Sequence, residues 1–196
     1  MILFLLLGFI LTAVFGRMFL QYKMTGDYGI RLAGKNSPPV QVAASVLLSV
    51  SGLIILFYAG SVTVGYLEPG FPPTLIQMAM GYILYSLGLI TVLVSQYQMG
   101  TAWRIGVDAN EKTALVTNGL FKHVRNPIYT GLFIGSMGLW LVSPSILLML
   151  GLLGLYVAVE LFVRKVEEPY LLQQFGDEYK KWYHSTPRYF PNFNQK

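Results

Sequence analysis

Four stretches of this chain contain no Asp, Glu, Lys or Arg: Met1–Gly16, Val40–Leu67, Pro69–Trp103 and Asn126–Val159. No other feature limits the fold as strongly. A bilayer-crossing helix needs about 20 mostly apolar residues. Inside lipid every backbone polar group must be paired within the protein, which leaves helices or a closed barrel. The pattern predicts helices over roughly Ile2–Tyr22, Gln41–Tyr66 and Thr74–Gln98. Glu68-Pro69-Gly70-Phe71-Pro72-Pro73 separates the second from the third, as Pro and Gly do. The last run is too long for one crossing at about 1.5 Å per residue. Ser143-Pro144-Ser145 divides it into Ile128–Val142 and Ser145–Val163, a tight hairpin. A signal peptide fits the first run poorly, because no basic residue precedes it. The expected fold is all-α and integral to the membrane, with five transmembrane helices.

Composition agrees. Only 12% of the 196 residues are charged, against about 25% in soluble domains. The absence of cysteine excludes a disulfide scaffold and a cysteine-built zinc site. Length suits one domain: three N-terminal spans over 1–99, then a loop, a helical hairpin and a C-terminal helix over 100–196. Thirteen of the 14 basic residues fall in the segment after helix one, the segment after helix three, and the tail. The positive-inside rule then puts the N-terminus outside and the C-terminus in the cytoplasm. The net charge of +5 reports orientation and calls for no nucleic acid. The membrane is expected to be a bacterial inner membrane or the endoplasmic reticulum.

Two polar segments stand out on the cytoplasmic side. Gly100–Pro127 is a long loop of ordinary complexity, and loops of that length tend to be functional or disordered. Thr113–Thr117 reads as a short extended segment and Asn118-Gly119 as a turn. Asn126-Pro127 predicts a helix that starts at Pro127, which puts Arg125, Asn126 and Tyr129 at a helix N-terminus suited to an anion. Interfacial anchoring by Arg and Tyr is the competing reading.

In the second segment Glu160, Arg164, Glu167 and Glu168 share one helix face, with Glu160 and Arg164 spaced for an ion pair. Carboxylates near a membrane are costly and often functional, although a snorkelling pair that ends a helix has the same spacing. The amphipathic stretch after Pro169 carries Tyr170, Leu171, Phe175, Tyr179 and Trp182. This stretch is expected to lie on the membrane or to cap the loop above the bundle, the membrane surface being the favoured place for its aromatics. His123 and His184 stand in separate segments with no metal-ligand spacing, so no metal is expected.

Thr113 to Phe121, Val124-Arg125-Asn126-Pro127-Ile128-Tyr129-Thr130-Gly131, Glu167-Glu168 and Phe175-Gly176-Asp177-Glu178-Tyr179 together resemble the isoprenylcysteine carboxyl methyltransferase family. Its relatives include the phospholipid methyltransferases. The likeness runs from Trp103 to Pro191. It implies S-adenosylmethionine held in a cap formed by the loop and the C-terminal helix, with S-adenosylhomocysteine as product. Cofactor-pocket residues would be Thr113, Ala114, Leu115, Val116, Phe121, Arg125, Asn126, Pro127, Tyr129, Glu167 and Glu168. Arg164 would bind and orient the acceptor, with Glu160 beside it and Glu167 as its catalytic partner. Two positions depart from the family: Asn126 stands for a histidine and Phe121 for a tyrosine. Asn keeps a donor and an acceptor but cannot titrate.

The implied activity is methyl transfer to a membrane-embedded acceptor, first of all a prenylcysteine-like carboxylate. Alternatives are a phospholipid or amine N-methyltransferase, a nicotinamide-dependent membrane reductase and a non-catalytic ligand-binding membrane protein.

Overall fold

A computed structural model of the chain describes residues 1–31, 37–107 and 114–191. Helix dominates. Helix α1 (Ile2–Thr25) contains a π-helical segment, Ile10–Gly16, and ends at Gly26, whose left-handed backbone returns an N–H to the Tyr22 carbonyl. Helix α2 covers Pro39–Thr63 and α3 covers Leu75–Met99. At the start of α3 the Thr74 side chain accepts from the Gln77 backbone and the Gln77 side chain reaches back, a reciprocal cap. Helix α4 (Pro127–Val142) begins at its proline. Helix α5 (Ile146–Phe162) follows the Ser143–Ser145 turn, which is pinned by the Tyr58 hydroxyl at 2.8 Å from Ser143 Oγ. The chain then runs through a π-helical turn, Val163–Glu167, into α6 (Glu168–Ser185), kinked at Gly176.

Among the described residues, four helices have the length and apolarity to cross a membrane: Ile2–Thr25, Pro39–Thr63, Leu75–Ala102 and Ile146–Ser185. The five crossings expected are not confirmed by this measure, because α4 falls short of it. Helix α4 has 16 residues, or about 24 Å of rise, against a hydrocarbon core of about 30 Å. The Ile146–Ser185 helix is longer than any crossing needs. Its uncharged part ends at Val159, and Glu160, Arg164 and Lys165 begin a charged continuation.

The helices pack as two close pairs. Helices α3 and α4 meet through glycines: a Cβ on Gly88 would lie 2.4 Å from the Gly135 nitrogen, and one on Gly138 the same distance from the Tyr85 nitrogen. Helices α2 and α5 meet where a Cβ on Gly154 would reach 2.4 Å from Ser51 Oγ. Close approach through small residues is how membrane helices gain packing where lipid gives no hydrophobic drive between them. Helix α1 bridges the pairs, and Ile2, Ile55, Tyr58, Tyr85, Leu139 and Leu148 form the core they share.

The only strands among the described residues are β1 (Ile30–Arg31) and β2 (Ile105–Gly106), paired in parallel. Residues 114–117 are irregular, so the extended segment expected there forms no strand. Gly106 sits at φ +87°, and a Cβ there would press on the Arg31 carbonyl. The pair ties the α1–α2 connection to the loop after α3, on the side where α6 lies.

Candidate active site

The site grows from the first turn of α4. Proline at Pro127 lacks an N–H, so the preceding backbone donors point away from the helix. Arg125 N donates to the Pro187 carbonyl at 2.8 Å and Asn126 N to the Arg188 carbonyl at 2.9 Å. The tail after α6 is thereby laid along the start of α4. The Arg125 side chain, 8% exposed, holds the same strap. Its Nη1 donates to the Tyr183 and Thr186 carbonyls and its Nη2 to Glu168 Oε1 at 2.9 Å. Its Nε is buried without a hydrogen-bond partner among the described residues. Arg188 grips Glu168 with two hydrogen bonds, 2.8 and 2.9 Å, and reaches Glu160 at 3.4 Å. Tyr189 donates to Glu160 Oε2 at 2.6 Å, and Arg164 donates to Glu160 Oε1. Glu168 is pulled against burial toward the ionised form by Arg188 and Arg125, below the usual carboxylate range.

Inside this strap lies a narrow cavity of about 100 Å³. Ala114, Leu115, Val116 and Phe121 form one wall; Asn126, Tyr129, Glu167 and Glu168 form another. Tyr170, Tyr179 and Trp182 of α6 close it. Those aromatics, expected on the membrane surface, turn inward: Tyr179 is 2% exposed, and Trp182 Nε1 donates to the Phe121 carbonyl at 3.2 Å. Beneath it, between the two helix pairs, is a second cavity of about 430 Å³ with a largely apolar lining. Arg104, Phe121, Arg125, Asn126, Tyr129 and Glu167 border both, so the cavities share a polar wall.

Glu167 is the acid of that wall. It lies beyond the apolar part of the Ile146–Ser185 helix, and burial pushes its carboxyl up to about 7. The Tyr129 hydroxyl at 3.4 Å and Arg104 pull the other way. Arg104 Nη2 approaches the Tyr170 hydroxyl at 3.3 Å.

The structure thus gathers Ala114, Leu115, Val116, Phe121, Arg125, Asn126, Tyr129, Glu167 and Glu168 at one cavity. Pro127 is buried behind it and shapes the turn. Thr113 lies outside the described residues. Arg164 and Glu160 border neither cavity; the Arg164 side chain is 55% exposed. Arg104 and Arg188 were not anticipated. Each acts through partners distant in sequence, and neither sits in a motif that marks it.

Fold and site define a helical integral membrane protein in which a slot in the cap and a cavity among the helices open on one polar wall. Residues 76–178, more than half of the chain, match the family described as phospholipid methyltransferase, and the chain belongs to that family. It is 27% identical over 115 residues to a protein-S-isoprenylcysteine O-methyltransferase of Schizosaccharomyces pombe, covering 58% of this chain and 48% of that one. It is 36% identical over 73 residues to the Dictyostelium discoideum protein of the same name, covering 35% and 29%. This chain therefore spans half or less of the length of these relatives. A eukaryotic intramembrane Ras methyltransferase, isoprenylcysteine carboxyl methyltransferase, shares the fold with a TM-score of 0.51 at 20% identity, over 80% of this chain and 53% of that one.

Proposed function

We propose that this chain transfers a methyl group from S-adenosylmethionine to a lipid-borne acceptor, a prenylcysteine-like carboxylate in the first instance. The observation that carries the reading is the shared wall, where a water-side ligand and a membrane-side ligand can meet. The residues of the cap suit the cofactor's groups. Glu167 offers a carboxylate to an ammonium. Tyr179 and Trp182 offer aromatic edges and faces to a purine.

When bound, the cofactor supplies an already activated methyl group. The protein's part is then to position and to exclude water. Tyr129 fixes the Glu167 carboxyl by its hydroxyl, and the strap formed by Arg125, Glu168 and Arg188 closes the cap. Arg104, which borders both cavities, orients an anionic acceptor better than Arg164, which borders neither. A carboxylate is ionised at neutral pH and needs no base, in keeping with an asparagine at Asn126 in place of a titrating group. Cap and strap lie on the cytoplasmic side, with the N-terminus outside.

Thermal stability in detergent tests the cofactor class, since a ligand that binds the folded state alone raises the midpoint. S-adenosylhomocysteine is expected to raise it and NADPH to leave it unchanged. A shift with NADPH alone would overturn the proposal in favour of a reductase.

A further inference from the structure

The segment that carries Arg104 is built on α1. This helix contributes Arg17, about two turns before its end. Arg17 is 5% exposed, and no carboxylate pairs with it among the described residues. A buried cation in a membrane-spanning helix is costly and calls for a function. Its Nη2 donates to the Gly100 carbonyl and, at 2.9 Å, to Gln21 Oε1. Its guanidinium lies 5.0 Å from the centre of the Trp103 ring. Gln21 Nε2 in turn donates to the Thr101 carbonyl at 2.9 Å. Gly100 and Thr101 belong to the 3-10 turn that closes α3, where carbonyls run short of helical partners and the dipole is negative. One buried arginine thus caps α3 and covers the aromatic residue that follows. A lysine could not do both, because only the planar guanidinium forks between acceptors and stacks on a ring.

The residues after Trp103 are tied to the same neighbourhood. Ile105 N donates to the Gly29 carbonyl at 2.7 Å, and a Cβ on Gly29 would lie 3.1 Å from the Trp103 carbonyl oxygen. Arg104 therefore stands between two anchored residues, and it borders both cavities. We infer that Arg17 is a positioning residue for the acceptor site: with Gln21 it fixes the backbone from Gly100 to Trp103, and so holds Arg104 at the wall the cavities share. The inference rests on the proposed role of Arg104 in orienting an anionic acceptor and adds what sets the geometry of that role. Arg17 borders neither cavity, so it acts through the segment it holds. A misplacement of about 1 Å caused at a distance is enough to matter.

The test uses the full-length chain in lipid nanodiscs and two tritiated amphiphiles, N-acetyl-S-farnesylcysteine and its methyl ester, which lacks the charge. The wild-type protein is expected to bind the acid about a hundredfold more tightly than the ester, the scale of a charge-assisted contact. R104A is expected to bind the two alike. R17M and Q21M are expected to cut the preference to about tenfold, to leave affinity for the ester unchanged, and to speed backbone amide exchange across Gly100–Gly106. Q21M keeps the Arg17 charge, so it separates position from charge, and it carries the test if R17M does not fold. Q21M/R104A is expected to bind the acid no more weakly than R104A, because residues that act through one another are not additive. Equal binding of acid and ester by wild type, a full preference retained in Q21M, a further loss in Q21M/R104A, or a parallel loss of ester binding in Q21M would overturn the inference. The expected preferences without any methyl transfer from S-adenosylmethionine would sustain the inference and sink the proposed activity instead.

Discussion

At the scale of residues, the site divides into groups that hold the cap shut and groups that face its ligands. Arg125 was expected to meet the cofactor carboxylate; its two terminal nitrogens instead hold Glu168 and the tail. We propose Arg104 for the acceptor-binding role expected of Arg164, because Arg104 borders both cavities and Arg164 borders neither. R104A is expected to lower kcat/KM for a carboxylate acceptor by about a hundredfold, the scale of a lost charge-assisted contact of about 3 kcal/mol. R164A, on an exposed side chain, is expected to change it less than threefold. The comparison of the two in one methyl-transfer assay decides between them.

Glu167 carries a pH prediction. Its carboxyl, pushed up to about 7 by burial, is largely neutral at pH 6 and largely ionised at pH 7.5 in the empty pocket. An ammonium ligand binds the ionised form. Affinity for S-adenosylhomocysteine therefore rises with pH, by about eightfold between pH 6 and 7.5 if the complex holds Glu167 fully ionised. In E167Q the slope disappears. Titration calorimetry at both pH values reads it, and an unchanged slope in E167Q would assign the dependence to another group.

Much of this level was legible in the sequence because the motifs are compact. Ala114–Val116, Phe121, Asn126, Tyr129 and the two glutamates sit in short runs that fold back on one another. Arg104 was not legible, because its place depends on Tyr170, 66 residues away. The inward aromatics of α6 were misjudged for a physical reason: a helix lying on lipid and a helix closing a cavity need the same amphipathic stripe.

At the scale of elements, the apolar runs mark the helices well because lipid permits little else. The short parallel pair of β1 and β2 left no trace in the sequence, since two residues per strand give no alternation to read. The glycines of α3 and α4 make the packing testable. A Cβ on Gly88 meets backbone atoms of Gly135 at 2.4 to 2.6 Å and cannot be relieved by a rotamer change. G88A is expected to destabilise by 2 kcal/mol or more, an overpacking cost of about 1–3 kcal/mol combined with lost helix contact. Gly52, in α2, has nothing within 4 Å of the same position. G52A is expected to be neutral or to stabilise by about 0.5–1 kcal/mol, through helix propensity alone. Thermal midpoints of the two variants in one detergent check the contrast; equal losses would mean that the α3–α4 contact is not as close as described.

At the scale of the whole molecule, two helix pairs joined mainly by α1 leave a cavity between them, and the strapped cap sits over its mouth. Helix α4 is too short by length for an ordinary crossing, yet its first turn supplies Asn126 and Tyr129 to the shared wall. The low charge content that marks the chain as a membrane protein also isolates its exceptions, and five of them, Arg31, Arg104, Arg125, Glu167 and Glu168, border the two cavities.

The most direct measurement is methyl transfer by the purified chain in lipid nanodiscs, from S-adenosylmethionine labelled in its methyl group, to N-acetyl-S-farnesylcysteine and, in parallel, to an aminophospholipid. Base-labile label on the prenylated carboxylate, incorporated about a hundredfold less efficiently by R104A and dependent on Glu167, is the expected result. Label on the lipid amine alone would contradict the assignment of a carboxylate acceptor, and no transfer to either, with S-adenosylhomocysteine failing to bind, would contradict the proposed activity itself.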